Sequence, residues 1–250
     1  MPSTRYLKAE SMSIPVEKEM DWRSLTENPV DSQVYAMVRK QLVTKTEAVH
    51  GGFIKLLELF TGKTVLDIGV AEHDLTHYAN KETWKHGMIK SVAATCLGVD
   101  ILQPMVERLN ADGYECLCVD ATSDIDIGKR FNYVHIGDVI EHVSDPIKLI
   151  RFAARHLAEN GEIVVTTPNP YFYQNIVRVI REGMLVANFE HVTWIGESMA
   201  QEIAHRADVE LRKIYRPVSR RWLVAAVQKA NLGIFSDKYY YFFAKKTTAS

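Results

Sequence analysis

Residues 1–30 show no sustained apolar period, which predicts an irregular arm. The first regular pattern follows Asp31 and Ser32, both competent helix N-caps. Val34, Met37, Val38, Leu42 and Val43 then recur at helical spacing and predict a helix. Gly51-Gly52 interrupts it, and the apolar stretch 53–60 predicts a second helix closing near Gly62. Together these two helices are expected to cap the core. From Lys63 onward the rhythm changes to short apolar runs separated by helical stretches. Strands are expected at 64–68, 94–100, 114–119, 133–136 and 163–167, with helices over 75–91, 104–112 and 146–159. Strands alternating with helices imply βαβ units, right-handed crossovers and a parallel sheet. Beyond Pro170 the pattern predicts helices at 173–182, 196–206 and 217–230, and strands at 209–215 and 238–244. The aromatic run from Tyr239 to Phe243 reads as a strand packed on both faces rather than a stacking platform for bases.

Composition narrows the class. The chain has 250 residues, 47% hydrophobic and 24% charged, which excludes a disordered chain. With 30 Lys+Arg against 31 Asp+Glu, the net charge of −1 argues against a nucleic-acid partner gripped by a broadly basic surface. No apolar run approaches the roughly 18–20 residues of a membrane span. The polar N-terminus lacks the apolar core of a signal peptide. Cys96, Cys116 and Cys118 form no CxxC pair and read as reduced, apolar strand fillers, so a cytoplasmic location is expected.

In an open parallel sheet, ligands bind beyond the carboxyl ends of the strands, at the topological switch point. Four segments should meet there. Val65-Leu66-Asp67-Ile68-Gly69-Val70-Ala71-Glu72-His73 runs a strand into a small-residue turn that lets backbone approach a ligand. Gly98-Val99-Asp100 puts an acid at the second strand's end, where it can accept both ribose hydroxyls. Val119-Asp120-Ala121 follows the third strand, and Ile136-Gly137-Asp138-Val139-Ile140-Glu141-His142 the fourth. A dinucleotide-binding dehydrogenase would show G-x-G-x-x-G at the first turn, and this chain has only Gly69 there.

These residues resemble the class I S-adenosylmethionine-dependent methyltransferases, closely over residues 63–168 and in outline beyond. The resemblance implies an α/β fold: a doubly wound, mostly parallel seven-stranded sheet with an N-terminal helical cap. Residues 1–62 would be arm and cap, and 63–250 the cofactor-binding domain. It also implies S-adenosyl-L-methionine as cofactor. Carried over, Asp67, Gly69, Val70, Ala71 and His73 shape the loop around its methionine end. Asp100 takes the ribose, Asp120 with Ala121 contacts the adenine, and Ile101, Gly137 and Asp138 complete the cofactor-binding set. The chain departs from the family where glycine is usual, at Ala71 and His73. The stretch from Asp67 to Asp100 also exceeds the ~20 residues usual between such a turn and its ribose acid. Trp84 and His86 lie in that extra length and are expected to cover the cofactor.

Asp138, Glu141 and His142 are joined downstream by Glu190-His191-Val192-Thr193-Trp194. An Asp, a Glu and two His can bind a divalent ion such as Mg²⁺ or Mn²⁺ through mixed oxygen and nitrogen ligands. The arrangement is similar to ubiquinone-pathway O-methyltransferases and to small-RNA 3′-end methyltransferases. Two other readings stay open. Glu141 and His142 can organise the turn while His142 or His191 acts as a base, or His191 can simply pack beside Trp194. The expected activity is methyl transfer to a hydroxyl of a small molecule. The segments Thr167-Pro168-Asn169-Pro170 and His191 to Trp194 resemble bacterial glycan-pathway enzymes, which implies a nucleotide sugar or glycan acceptor. The alternatives are a metal-dependent RNA ribose methyltransferase and a non-catalytic cofactor-binding scaffold. Arg178, Arg181, Arg216, Arg220 and Arg221 read as a solvated face or a rim for an anionic substrate.

Overall fold

The computed structural model describes residues 32–71, 83–218 and 234–246. The chain divides into two compact units, 1–37 and 38–250. The first is described only at residues 32–37, which open helix α1 (Ser32–Lys45).

The second unit is built on one eight-stranded sheet: β1 (Thr46–Val49), β2 (Thr64–Ile68), β3 (Thr95–Asp100), β4 (Cys116–Cys118), β5 (Phe131–Gly137), β6 (Leu157–Pro168), β7 (Val209–Pro217) and β8 (Lys238–Lys245). Their spatial order is β1-β7-β8-β6-β5-β2-β3-β4. Only β8 runs against the others, antiparallel to both β6 and β7. The helices between them are α2 (Phe53–Phe60), α3 (Lys85–Val92), α4 (Gln103–Ala111), α5 (Pro146–Arg155), α6 (Tyr173–Glu182) and α7 (Glu197–Ala207). None of these helices is long and apolar enough to cross a membrane.

Both faces of the sheet are covered, so its strands are apolar on both sides. Leu66, Ile68, Ile163, Val165, Tyr239, Tyr241 and Phe243 face one layer, with Leu149 and Phe152 of α5 and Ala200 and Ala204 of α7. Val65, Val164, Tyr240 and Phe242 face the other, with Leu56 and Phe60 of α2 and Ile89 of α3. The five aromatics from Tyr239 to Phe243 are therefore core on both faces, as the sequence pattern implies. Helix α5 starts where Asp145 accepts hydrogen bonds from the Ile147 and Lys148 amides and Pro146 fills a first-turn position. Its Leu149, Ile150, Phe152 and Ala153 are all buried. Phe152→Ala should cost about 3–5 kcal/mol, read as a lower urea midpoint at unchanged slope.

Three features differ from the sequence reading. The sheet has eight strands, not seven, because residues 46–49 form a strand in the stretch expected to be cap. Its sequence, TEAV, carries little strand signal. Its partner is β7, more than 160 residues away, in parallel register from Thr46↔Ile214 to Val49↔Pro217. Secondly, α2, expected in a cap ahead of the core, is part of a layer that covers the sheet. Leu56 and Phe60 are fully buried in the layer on one sheet face. Thirdly, the helix expected to run to residue 159 ends at Arg155, because β6 begins at Leu157, paired with Phe131. Between them His156 is bonded on both ring nitrogens, Nδ1 donating to the Phe152 carbonyl at 2.8 Å and Nε2 accepting from the Ile127 amide at 3.0 Å. Cys96 and Cys116 are buried as expected, but Cys118 is exposed. The helix expected at 217–230, with Arg220 and Arg221, lies largely outside the described residues.

Candidate active site

The strand order reverses between β2 and β5. From β2 the chain steps outward to β3 and β4, and then returns through β5 to β6 on the other side. A cavity of about 870 Å³ opens at the carboxyl ends of these strands. That is the crevice in which an open α/β sheet binds ligands.

The loop after β2 forms one wall. Gly69 has φ +86°, and a Cβ there would sit 2.1 Å from Val139 Cγ2. Only glycine fits that position without strain. Ala71 tolerates its side chain, because among the described non-glycine residues only Asp138 and Asp208 have positive φ. The loop is tied at several points. The Gly69 amide donates to the Val99 carbonyl at 2.9 Å. The Ala71 amide donates to Asp100 Oδ2 at 2.9 Å, and Leu102 to Asp100 Oδ1 at 3.0 Å. Trp84 Nε1 donates to the carbonyl of Val70 at 3.0 Å. His73 lies outside the described residues.

Asp67 sits behind this wall, not in the cavity. By strand alternation its carboxylate points away from Ile68. It is gripped by His86 Nδ1 at 2.8 Å and His135 Nδ1 at 2.6 Å. Burial alone would raise its pKa, but the His135 and His86 imidazoles outweigh that and hold it well below the usual carboxylate range. Trp84 and His86, expected over the cofactor, are both 1% exposed and lie beneath the loop instead. They support it from behind.

Asp100, Ile101, Asp120 and Ala121 line the far end of the cavity. Ile101 is 67% exposed, an apolar side chain standing at the rim. Asp120 accepts from the Thr122 hydroxyl at 2.7 Å and its amide at 2.8 Å, and these bonds lower its pKa.

The near end is built after β5. Asp138 has φ 56° and pairs with both Lys85 of α3 and Lys238 of β8. Burial pushes its carboxyl up, but the two lysines prevail and hold it below its ordinary value. Glu141 is 1% exposed. The Thr167 hydroxyl donates to its Oε2 at 3.1 Å, while Oε1 has no hydrogen-bond partner among the described residues. Burial, with the charge of Asp138 adding to it, pushes the Glu141 carboxyl up to about 7. The Glu141 carbonyl accepts from the Val192 amide at 2.9 Å, which draws the 188–194 segment against this end. As a result the His142 and His191 rings meet edge to face, 4.7 Å between centroids at 89°. His191 also lies 5.9 Å from the Trp194 ring.

Glu141, His142 and His191 each present a ligand atom, all within 4.8 Å of one another. Asp138, grouped with them from the sequence, falls outside the cluster and turns to its lysines. A buried carboxylate oxygen without a partner, beside two imidazoles, is a donor set that fits a divalent ion. It also fits removal of a proton by imidazole. Lys85 and Lys238 line the cavity but belong to no sequence motif, so spacing alone could not find them.

A family model described as a methyltransferase domain matches residues 46–232. This chain belongs to that family. It is an S-adenosylmethionine-dependent methyltransferase of the class I fold, and the cavity stands at the switch point of that fold. The mitochondrial ubiquinone biosynthesis O-methyltransferase of Arabidopsis thaliana is 26% identical over 151 residues. That match takes in 54% of this chain and 47% of the relative, so the chain spans about half the length of the curated relative it matches. A S-adenosylmethionine-dependent methyltransferase from Thermotoga maritima superposes with TM-score 0.54 at 15% identity, covering 85% of this chain and 96% of that one. The CcbJ methyltransferase of Streptomyces caelestis gives TM-score 0.52 at 11% identity, covering 78% and 88%. At such identities the likeness concerns the fold.

Proposed function

We propose that this methyltransferase methylates a hydroxyl oxygen of a small molecule bearing vicinal hydroxyls, at a site formed by Glu141, His142 and His191. The convergence of those three ligand atoms within 4.8 Å, on the wall of the cofactor crevice, carries the reading. Gly69, Val70 and Ala71 would shape the cosubstrate's methionine end, with Gly137 and Asp138 opposite. Asp100 would take the ribose hydroxyls. Ile101 and Ala121 would flank the adenine, and Asp120 would accept from its amino group.

The reaction is an in-line displacement. The acceptor oxygen bonds to the methyl carbon, the methyl–sulfur bond breaks, and S-adenosylhomocysteine leaves. The main demand is alignment of oxygen, carbon and sulfur. The second is loss of the hydroxyl proton, which a divalent ion held by Glu141, His142 and His191 would assist by lowering the hydroxyl's pKa. Thr167 orients Glu141 for this, and the Glu141 carbonyl keeps His191 within reach. An acceptor with two adjacent hydroxyls suits such a site. Sugar diols of nucleotide sugars or glycans are one source, and the similarity to a ubiquinone biosynthesis O-methyltransferase supports oxygen as the methylated atom.

The test is calorimetric titration of the metal-stripped protein with Mn²⁺ or Mg²⁺, followed by methyl transfer to diol panels. Wild type should bind one ion, and His142→Ala and His191→Ala should not, while all three bind S-adenosylhomocysteine. Full methyl transfer by the metal-stripped enzyme in excess chelator would overturn the metal assignment.

A further inference from the structure

Three consecutive residues at the start of α3 reach three points around the cofactor loop. Trp84 donates to the Val70 carbonyl, His86 grips Asp67, and between them Lys85 pairs with Asp138 on the cavity wall. Trp84 and His86 are each 1% exposed. Trp84 packs edge to face on Tyr114, centroids 4.9 Å apart, and His86 lies 5.1 Å from the Trp84 ring. Side chains packed this tightly have little rotamer freedom, so the backbone of Lys85 is fixed beside the loop.

Two of the loop's amides at its described positions are already committed. Anion-binding loops work through backbone N–H groups aimed at the ligand. Here the Gly69 amide is committed to Val99 and the Ala71 amide to Asp100. A carboxylate entering beside them cannot use those two amides and is well met by a cation. Lys85 and Lys238 are the cavity-lining lysines among the described residues. Both pair with the same oxygen of Asp138, Oδ2. Lys238 lies on β8 opposite Pro168, the neighbour of the Thr167 that bonds Glu141, and so stands toward the acceptor side. Lys85 is tethered to the loop.

The cosubstrate of a class I methyltransferase ends in an α-amino acid, with one carboxylate and one ammonium. Asp138 and Lys85 offer the opposite pair. We propose that Lys85 binds the α-carboxylate of S-adenosylmethionine, with Trp84 and His86 as positioning residues that hold it there. An ammonium has three N–H donors and can bridge Asp138 and a second carboxylate. The cosubstrate's own ammonium then faces Asp138. This assignment rests on the cofactor crevice described above and adds a residue that the glycine-turn pattern does not contain.

The experiment compares two ligands by isothermal titration of the full chain. S-Adenosylhomocysteine carries the amino-acid end, and 5′-methylthioadenosine lacks it. Lys85→Met should weaken S-adenosylhomocysteine by about 10- to 100-fold, the size of a lost charge-assisted contact, and leave methylthioadenosine unchanged. Lys85→Arg should retain most of the affinity, which controls for folding. His86→Leu should shift the ratio of the two affinities in the same direction as Lys85→Met, and His86→Asn, which keeps a donor toward Asp67, should restore it. If Lys85→Met weakens both ligands equally, or neither, the assignment is overturned. If wild type binds neither ligand, the cofactor crevice itself is wrong and the assignment falls with it.

Discussion

Glu141→Gln is expected to abolish metal-dependent methyl transfer and, at the same time, to make the metal-free protein more stable at alkaline pH. The two effects share one cause. The carboxyl of Glu141 is pushed from an ordinary 4.5 up to about 7 by burial and by Asp138. A carboxyl with a raised folded pKa helps stability while it is protonated. That help is complete below the unfolded value and is lost as pH rises through the folded one. At pH 8 the wild type therefore carries a penalty on the order of 3 kcal/mol that glutamine, neutral at all pH, does not. At pH 5 the difference should fall below about 1 kcal/mol. Glutamine can keep the Thr167 hydrogen bond, so little else changes. The ion, by contrast, needs the ionised carboxylate, so its affinity for wild type should climb as pH rises through about 7. Loss of this group should lower turnover by about 10²–10⁴-fold. Urea unfolding of chelator-treated wild type and variant at the two pH values, beside Mn²⁺ titrations, reads both effects. A variant that still binds Mn²⁺ like wild type would remove Glu141 from the site. A variant no more stable than wild type at pH 8 would show that its carboxyl is not held in the neutral form.

The sheet was legible from sequence wherever a strand is buried on both faces, because short β-branched runs such as Ile163 to Thr167, bounded by Gly161 and Pro168, favour a strand over a helix. It was not legible at β1, whose four residues become a strand only because β7 offers an edge to them. The same division holds in the site. Glu141, His142 and His191 stand in recognisable patterns, and the fold brings them together through a backbone bond from Val192 to Glu141. Asp67 and Asp138 were legible as acids at strand ends, but not their partners. Strand alternation turns Asp67 away from the crevice toward His135 and toward His86, the residue expected over the cofactor. Asp138 meets Lys238 across 100 residues of sequence. Charge pairs of that kind come from topology, and spacing carries no trace of them.

Gly69→Ala should damage the enzyme more than any other single methyl addition in the loop. Two costs combine. A non-glycine residue at φ +86° carries about 1–2 kcal/mol of backbone strain. The added Cβ would also lie 2.1 Å from Val139 Cγ2, and Val139 is β-branched and stiff at χ1. Crowding of this kind typically costs about 1–3 kcal/mol. Relief can come only by moving Val139 or the loop. Val139 lies between Asp138 and Glu141, so either movement disturbs both ends of the crevice. The expected result is a loss of about 2–5 kcal/mol in stability together with at least tenfold weaker S-adenosylhomocysteine binding, about 1.4 kcal/mol. The double variant Gly69→Ala, Val139→Ala separates the costs. It removes the clash but leaves the strain, so it should recover the steric part alone. Ala71→Gly makes the opposite comparison. Ala71 lacks positive φ, so the family's usual glycine should bring no gain in affinity there and a slight loss of stability. Wild-type affinity in Gly69→Ala, or a large gain in Ala71→Gly, would mean that the loop binds its ligand in a conformation other than the one described.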